Sequence, residues 1–260
     1  MVLKLNLNWI GMYVSDFEGS LRFYTEGLGM KASSTKLNWA YFETTGMTFE
    51  LFGGGLHPTP DRKGWGQGQT IRPAIQVADL REIIANLRQR GVQFVGEIEQ
   101  RENTEWIEFV APEEMRWTFV QAPAYPFNSV LEKTHIEWIE LKVDHLAEQR
   151  AFYSEILGVQ PEEDRQGRVI FRQNLDKPCL FLEGGGKMPV RLKISQGVFQ
   201  PLPSHLISLE TDNIEKAAAW LKFHKIPILI EITRKNWGGI DLYISDPDGN
   251  PIQVVQYIQS

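Results

Sequence analysis

Asn8-Trp-Ile-Gly-Met-Tyr-Val-Ser-Asp16, continued by Leu21-Arg-Phe-Tyr-Thr-Glu-Gly-Leu-Gly29, reappears downstream as Glu137-Trp-Ile-Glu-Leu-Lys-Val-Asp-His145 and Ala151-Phe-Tyr-Ser-Glu-Ile-Leu-Gly158. Trp9 matches Trp138, Val14 matches Val143 and Phe23-Tyr24 matches Phe152-Tyr153, all at a constant offset of 129 residues. Similarity at fixed spacing marks duplicated structural units. The second half of each unit repeats as well. Val77-Ala-Asp-Leu-Arg-Glu-Ile-Ile-Ala-Asn-Leu87 resembles Thr211-Asp-Asn-Ile-Glu-Lys-Ala-Ala-Ala-Trp-Leu221 at an offset of 134, and Phe109-Val-Ala-Pro112 aligns with Ile244-Ser-Asp-Pro247. Between the units lies Ala122-Pro-Ala-Tyr-Pro-Phe-Asn-Ser129, whose two prolines interrupt helix and sheet. The expected modules are therefore residues 1–127 and 128–260.

Each unit shows the same internal order: an alternating strand, an Asp or Asn able to cap a helix, a helix of about three turns, then further strands. Leu80, Ile83, Ile84 and Leu87 have helical spacing, whereas Trp39-Ala-Tyr-Phe-Glu43 and Met47-Thr-Phe-Glu-Leu-Phe52 alternate as strands do. Each unit reads as two consecutive βαβββ pieces, an α+β class.

The composition fits a packed globular chain: 42% hydrophobic, 23% charged and 11% aromatic over 260 residues. A net charge of −6 argues against a surface built to neutralise phosphates, so no nucleic-acid partner is expected. The single cysteine, Cys179, sits in the apolar run Cys179-Leu180-Phe181-Leu182, which reads as a buried strand in a reducing compartment. No secretion signal and no run of ~20 apolar residues is visible, so the expected setting is cytoplasmic, without a membrane partner, as monomer or homodimer. The glycine clusters at Gly53, Gly64 and Gly184 lack phosphate-loop spacing, and no nucleophile elbow is present. Eight tryptophans call for a role.

The strand-to-helix segments ending in Phe-Tyr and Leu-Gly, and the turn Ser245-Asp-Pro-Asp-Gly-Asn-Pro-Ile-Gln253, resemble the vicinal oxygen chelate superfamily. It includes glyoxalase I, extradiol dioxygenases, and bleomycin and fosfomycin resistance proteins. The first unit carries a worn version of that turn, Ala111-Pro-Glu-Glu-Met-Arg-Trp-Thr118. The resemblance covers the chain twice and implies tandem βαβββ modules whose mixed sheets curl around cavities. In metal-using members the ligands project from set strand positions. Those positions here are Trp9, Glu50, Arg72 and Thr118 in the first unit, and Trp138, Phe181, Leu206 with neighbouring His205, and Gln253 in the second. If the units share cavities as glyoxalase I subunits do, one site gathers Trp9, Glu50, Gln253 and His205, and the other Trp138, Phe181, Arg72 and Thr118.

An indole N–H donates but offers no lone pair to a metal. The expected cofactor is therefore none; a divalent ion (Fe, Mn, Ni or Zn) at Glu50, His205 and Gln253 is the alternative, and requires a bulge to bring His205 into register. Glu140 and Glu210, each on the strand face of a ligand-equivalent position, read either as pointing into the second unit's cavity or as carboxylates exposed at a strand end or paired with a nearby Arg or Lys. With Glu50 they are the candidates for acid–base work. Arg72 would be a carboxylate's partner or an anchor for an anionic ligand. His57, His135, His145 and His224 read as surface or capping residues. The segment Leu56–Gln69 reads equally as a binding loop or a surface excursion.

The resemblance and the flat rings at Trp9 and Trp138 imply a metal-poor protein that holds a small apolar or aromatic molecule, for sequestration or sensing. Trp9, Glu50, Arg72, Trp138, Phe181 and Gln253 are the expected contacts. The alternatives are a metal-dependent glyoxalase-type lyase or ring-cleaving dioxygenase, and a structural or regulatory module without ligand.

Overall fold

A computed structural model describes residues 5–54, 71–101, 103–121, 134–163, 168–173, 178–185, 193–195, 198–200 and 205–258. The connector, with the boundary expected at 127/128, the segment Leu56–Gln69 and His57 lie outside the described residues.

Among the described residues four α-helices, Phe17–Arg22, Leu80–Gln89, Leu146–Leu157 and Ile214–Phe223, alternate with strands in the expected order. The caps anticipated from sequence hold three of them. Asp16 accepts from the Gly19 amide at 2.9 Å, Asp79 from those of Arg81 and Glu82 at 2.9 Å, and Asn213 from that of Lys216 at 2.8 Å. The repeated Phe-Tyr and Leu-Gly pairs also have a physical cause. Tyr24 and Tyr153 are fully buried, Tyr24 among the rings of Phe42, Phe49 and Trp117 and Tyr153 against Phe171. Gly29 and Gly158 take the left-handed conformation, with φ of 77° and 64°, which ends each helical segment.

The strands form two large mixed sheets, each drawing on both modules. The first runs Ile228–Arg234, Gly239–Ser245, Pro251–Tyr257, His205–Glu210, Asn6–Val14, Thr48–Gly53, Trp39–Phe42, Ala32–Lys36. The second runs Glu162–Glu163, Val169–Phe171, Cys179–Gly184, Thr134–Val143, Ile71–Gln76, Arg116–Gln121, Thr104–Val110, Gln93–Arg101, with Thr44–Thr45 pairing beside Thr134–Val143. Each sheet thus joins the first half of one module to the second half of the other. The seams are antiparallel and equivalent: Trp9 opposes Ser208 and Gly11 opposes Leu206 in one, Trp138 opposes Ala74 and Glu140 opposes Arg72 in the other. A register shift recurs just before each tryptophan, at Leu7/Trp9 and at Ile136/Trp138.

One face of each sheet packs on the helices. Leu7, Ile10, Met12, Val14, Ile207, Leu209, Ile252 and Val254 enter the core with helix residues such as Leu80, Leu157 and Leu221. The alternating residues occupy the opposite, helix-free faces.

A carboxylate clasp ties the sheets together within each module. Asp248, in the turn before strand Pro251–Tyr257, accepts from the Asp144 amide at 2.9 Å and lies 2.9 Å from Nδ1 of His145. Glu113 does the same in the first module, accepting from the Ser15 amide, from Ser15 Oγ at 2.6 Å and from the Asp16 amide at 3.3 Å. The turn that looks worn in sequence therefore keeps its working carboxylate one methylene longer, with Glu113 at φ 61°. Asp248 is 3% exposed whereas Glu113 is half-buried. Truncating Asp248 removes a buried carboxylate that accepts from the Asp144 amide and meets His145, so Asp248→Ala should lower stability by about 2 kcal/mol, or ~4–8 °C in Tm. Glu113→Ala should cost clearly less, because water replaces the lost acceptor. Thermal denaturation of the two variants side by side checks the order; equal losses would refute the burial argument.

Candidate functional site

The shift at Leu7/Trp9 gives Trp9, Gly11 and Tyr13 the parity opposite to the core residues Ile10, Met12 and Val14. They therefore stand on the helix-free face of the first sheet. The indole of Trp9 lies along its own strand over Gly11, and a Cβ there would overlap the ring. Phe52 meets Trp9 edge-on at 5.9 Å and stacks on Tyr13 at 4.9 Å and 19°. Gly11 pairs with Glu50, which brings that carboxylate beside the indole. Nε1 of Trp39 donates to Glu50 at 2.9 Å. Burial pushes the Glu50 carboxyl above its ordinary value, against hydrogen bonds from Trp39 and Trp9 that favour the ionised form.

Across the seam the face continues through Ser208, Gln253, Asp241 and Tyr243. Ser208 pairs with both Trp9 and Gln253, and Gln253 with Tyr243. Nε2 of Gln253 donates to Asp241 at 2.7 Å and to the Tyr243 hydroxyl at 3.3 Å, and Lys235 Nζ lies 3.3 Å from Asp241. The Tyr13 phenol is pushed up to about 12 by burial and by the charges of Glu50 and Asp241. The result is an aromatic surface with carboxylates on both sides.

The second sheet fills the equivalent face differently. Trp138 stacks on Phe181 at 5.0 Å and 21°. Arg72, opposite Glu140 in the seam, forms ion pairs with Glu108 and Glu140 and a third with Glu183 at 3.3 Å. Burial, then a hydrogen bond with Glu183, pushes the Glu140 carboxyl up to about 7 despite Arg72, while Glu183 is held below its ordinary range. The proton is therefore favoured on Glu140 and the negative charge on Glu183.

The sequence-predicted positions are thus gathered as two sets: Trp9, Glu50 and Gln253 on one face, and Trp138, Phe181, Arg72 and Thr118 on the other. Glu210 departs from expectation. It stands on the first sheet opposite Asn6, where Asn8 donates to it at 3.3 Å, and not with Glu140. The exchange of strands separates them, because the second module's last half completes the first module's sheet. His135 also departs, being a buried strand residue 2.9 Å from the Thr45 hydroxyl, under the short strand that pairs beside it. His145 and His224 do sit at helix ends. Tyr13, Phe52, Trp39, Ser208, Asp241 and Tyr243, and in the second sheet Glu108 and Glu183, escaped the sequence reading. Strand alternation already put Tyr13 and Phe52 in phase with Gly11 and Glu50, but the others needed the pairing partners.

The donor set does not suit a catalytic divalent ion. At the ligand-equivalent positions of the first sheet Trp9 has no lone pair, Leu206 has no donor atom, and Glu50 is already held by indole N–H groups. His205 pairs with Met12 and Leu206 with Gly11 in unbroken register, so the bulge that a metal role for His205 requires is not at that point. In the second sheet the set is Trp138, Phe181, Arg72 and Thr118. Among the described residues no group of three or more His, Cys, Asp or Glu side chains is placed to hold a metal ion. No helix there is long and apolar enough to cross a membrane.

The sequence profile of the glyoxalase/bleomycin resistance protein/dioxygenase superfamily matches residues 6–119 and again residues 135–254. A search of curated protein sequences gives no match. Among solved structures the chain is similar to glyoxalase I from Zea mays, with 16% identity, a TM-score of 0.72, and 97% of this chain and 92% of that one covered. It is also similar to a provisionally named dioxygenase from Bacillus subtilis, with 15% identity, a TM-score of 0.69, and coverage of 100% and 87%. At such identities the likeness concerns the fold. Two matches of one profile, spanning most of the chain, make it a tandem two-module member of the glyoxalase/bleomycin resistance protein/dioxygenase superfamily.

Proposed function

We propose that the protein binds a small apolar or aromatic molecule on the helix-free face of its first sheet, as a sequestering or sensing protein that uses no metal ion to anchor the ligand. One observation carries this reading. Trp9, Tyr13, Phe52 and Trp39 gather around the Glu50 carboxylate, at the place where metal-using relatives have ligands. Flat rings fixed on strands offer stacking area at little entropic cost. Glycine at position 11 supports the same reading, because it lets the indole lie flat. The second sheet is the weaker candidate, since its central position is filled by Arg72 and the three carboxylates of the chain itself.

Stacking on Trp9 makes ligand-dependent quenching of tryptophan fluorescence the expected signal when aromatic compounds are titrated in. Trp9→Ala should weaken binding by on the order of tenfold. Gly11→Val, which keeps the ring but displaces it, should weaken binding in the same direction. If a broad aromatic library yields neither quenching nor a thermal shift, the reading is lost.

Metal analysis is an independent check. Protein purified without chelator or affinity-tag metal should carry well under one Fe, Mn, Ni or Zn per chain. A stoichiometric ion that disappears in Glu50→Ala would overturn the metal-free reading.

The second sheet should behave as a structural cluster. Glu140 keeps its proton up to about 7 in the folded chain, against 4.5 ordinarily. Its contribution to stability is complete below the lower value and is lost as pH rises through the upper one. Glu140→Gln mimics the protonated acid, so the variant's Tm relative to wild type should climb between pH 4.5 and about 7 and level off above that. A difference that stays flat across that window would show that Glu140 is ionised throughout.

A further inference from the structure

The hydrogen-bonding inventory of the first sheet's helix-free face is lopsided. Its nitrogen donors are committed: the indoles of Trp39 and Trp9 to Glu50, the Gln253 amide to Asp241 and Tyr243, and Lys235 to Asp241. Nδ2 of Asn8 goes to Glu210. The hydroxyls of Tyr13, which feels the charges of Glu50 and Asp241, of Tyr243 and of Ser208 are the remaining donors, and each is also an acceptor. Oxygens that can accept are in excess. The hydroxyl of Ser208 is 1% exposed and has no partner, and Oδ1 of Asn8 is likewise unpartnered. Register places Ser208 between Trp9 and Gln253, at the centre of the face. An unpartnered hydroxyl buried this deeply is costly unless something else fills the bond. The charge around it is negative, since Glu50, Asp241 and Glu210 share the face and the nearest lysine, Lys235, is already paired.

We infer that the ligand of this face is an aromatic molecule bearing a cationic hydrogen-bond donor of the amine or amidine type, with Ser208 as an acceptor for that group. The inference rests on the aromatic-binding reading above and narrows it. The ring lies against Trp9 and Phe52, and the donor end meets the oxygens of Ser208 and the neighbouring carboxylates. An anionic end would face those carboxylates and is disfavoured.

Three probes with the same ring separate the possibilities: benzamidine, toluene and benzoate, each titrated against the full chain by tryptophan quenching and calorimetry. Benzamidine should bind on the order of tenfold more tightly than toluene, with benzoate weakest. Ser208→Ala should weaken benzamidine several-fold and leave toluene unchanged, which a merely structural role for the hydroxyl would not do. If toluene binds in a Trp9-dependent way but benzamidine binds no better, or Ser208→Ala shifts both equally, the donor inference falls and the aromatic reading stands. Benzoate binding as tightly as benzamidine also overturns the inference. If none of the three binds, the inference falls together with the aromatic reading.

Discussion

The two antiparallel seams, Asn6–Val14 against His205–Glu210 and Thr134–Val143 against Ile71–Gln76, constrain everything else in the molecule. Neither module closes a sheet from its own strands alone. Each helix-free face is therefore assembled from both modules: Trp9 with Ser208 and Gln253 on the first sheet, Trp138 and Glu140 with Ala74 and Arg72 on the second. The integrity of each face consequently depends on its seam. Anything that loosens a seam also separates the two halves of a face, and the carboxylate clasps at Glu113 and Asp248 hold the sheets in the relation the seams require.

Equivalent seam positions have been put to opposite uses. Where the first sheet has Gly11 opposite Leu206, the second has Glu140 opposite Arg72. Glycine and leucine leave the Trp9 ring room to lie flat beside Glu50. Glutamate and arginine fill the same region with an ion-pair cluster. Such a cluster is not strong support for stability in itself, since desolvation offsets most of the Coulombic gain, yet removing one partner leaves the others buried and uncompensated. Desolvation accordingly raises the proton affinity of Glu140, the most buried of the three acids around one guanidinium.

The 129-residue offset made duplication and the α+β order legible, because helix caps, the Phe-Tyr pair and strand alternation are local signals. The resemblance went further and sorted the site positions into two sets. What stayed hidden depends on pairing. Arg72 meets Glu140 and Glu183 across 68 and 111 residues, and no periodicity reports such a contact. Glu210 was misplaced for the same reason: its parity along the strand is readable, but which sheet the strand joins is not. His135 looked superficial because its cover, Thr44–Thr45, comes from the other module.

Tryptophan at both ligand-equivalent positions changes what the neighbouring carboxylate can do. A histidine there would present a lone pair and leave Glu50 free to join it around an ion. An indole presents a proton instead, and two of them converge on Glu50. The carboxylate then becomes an acceptor fixed by ring N–H groups, held in apolar surroundings that raise its proton affinity. At these positions coordination chemistry gives way to an aromatic surface whose carboxylate is held by indole protons, flanked by the polar residues Ser208, Gln253 and Asp241.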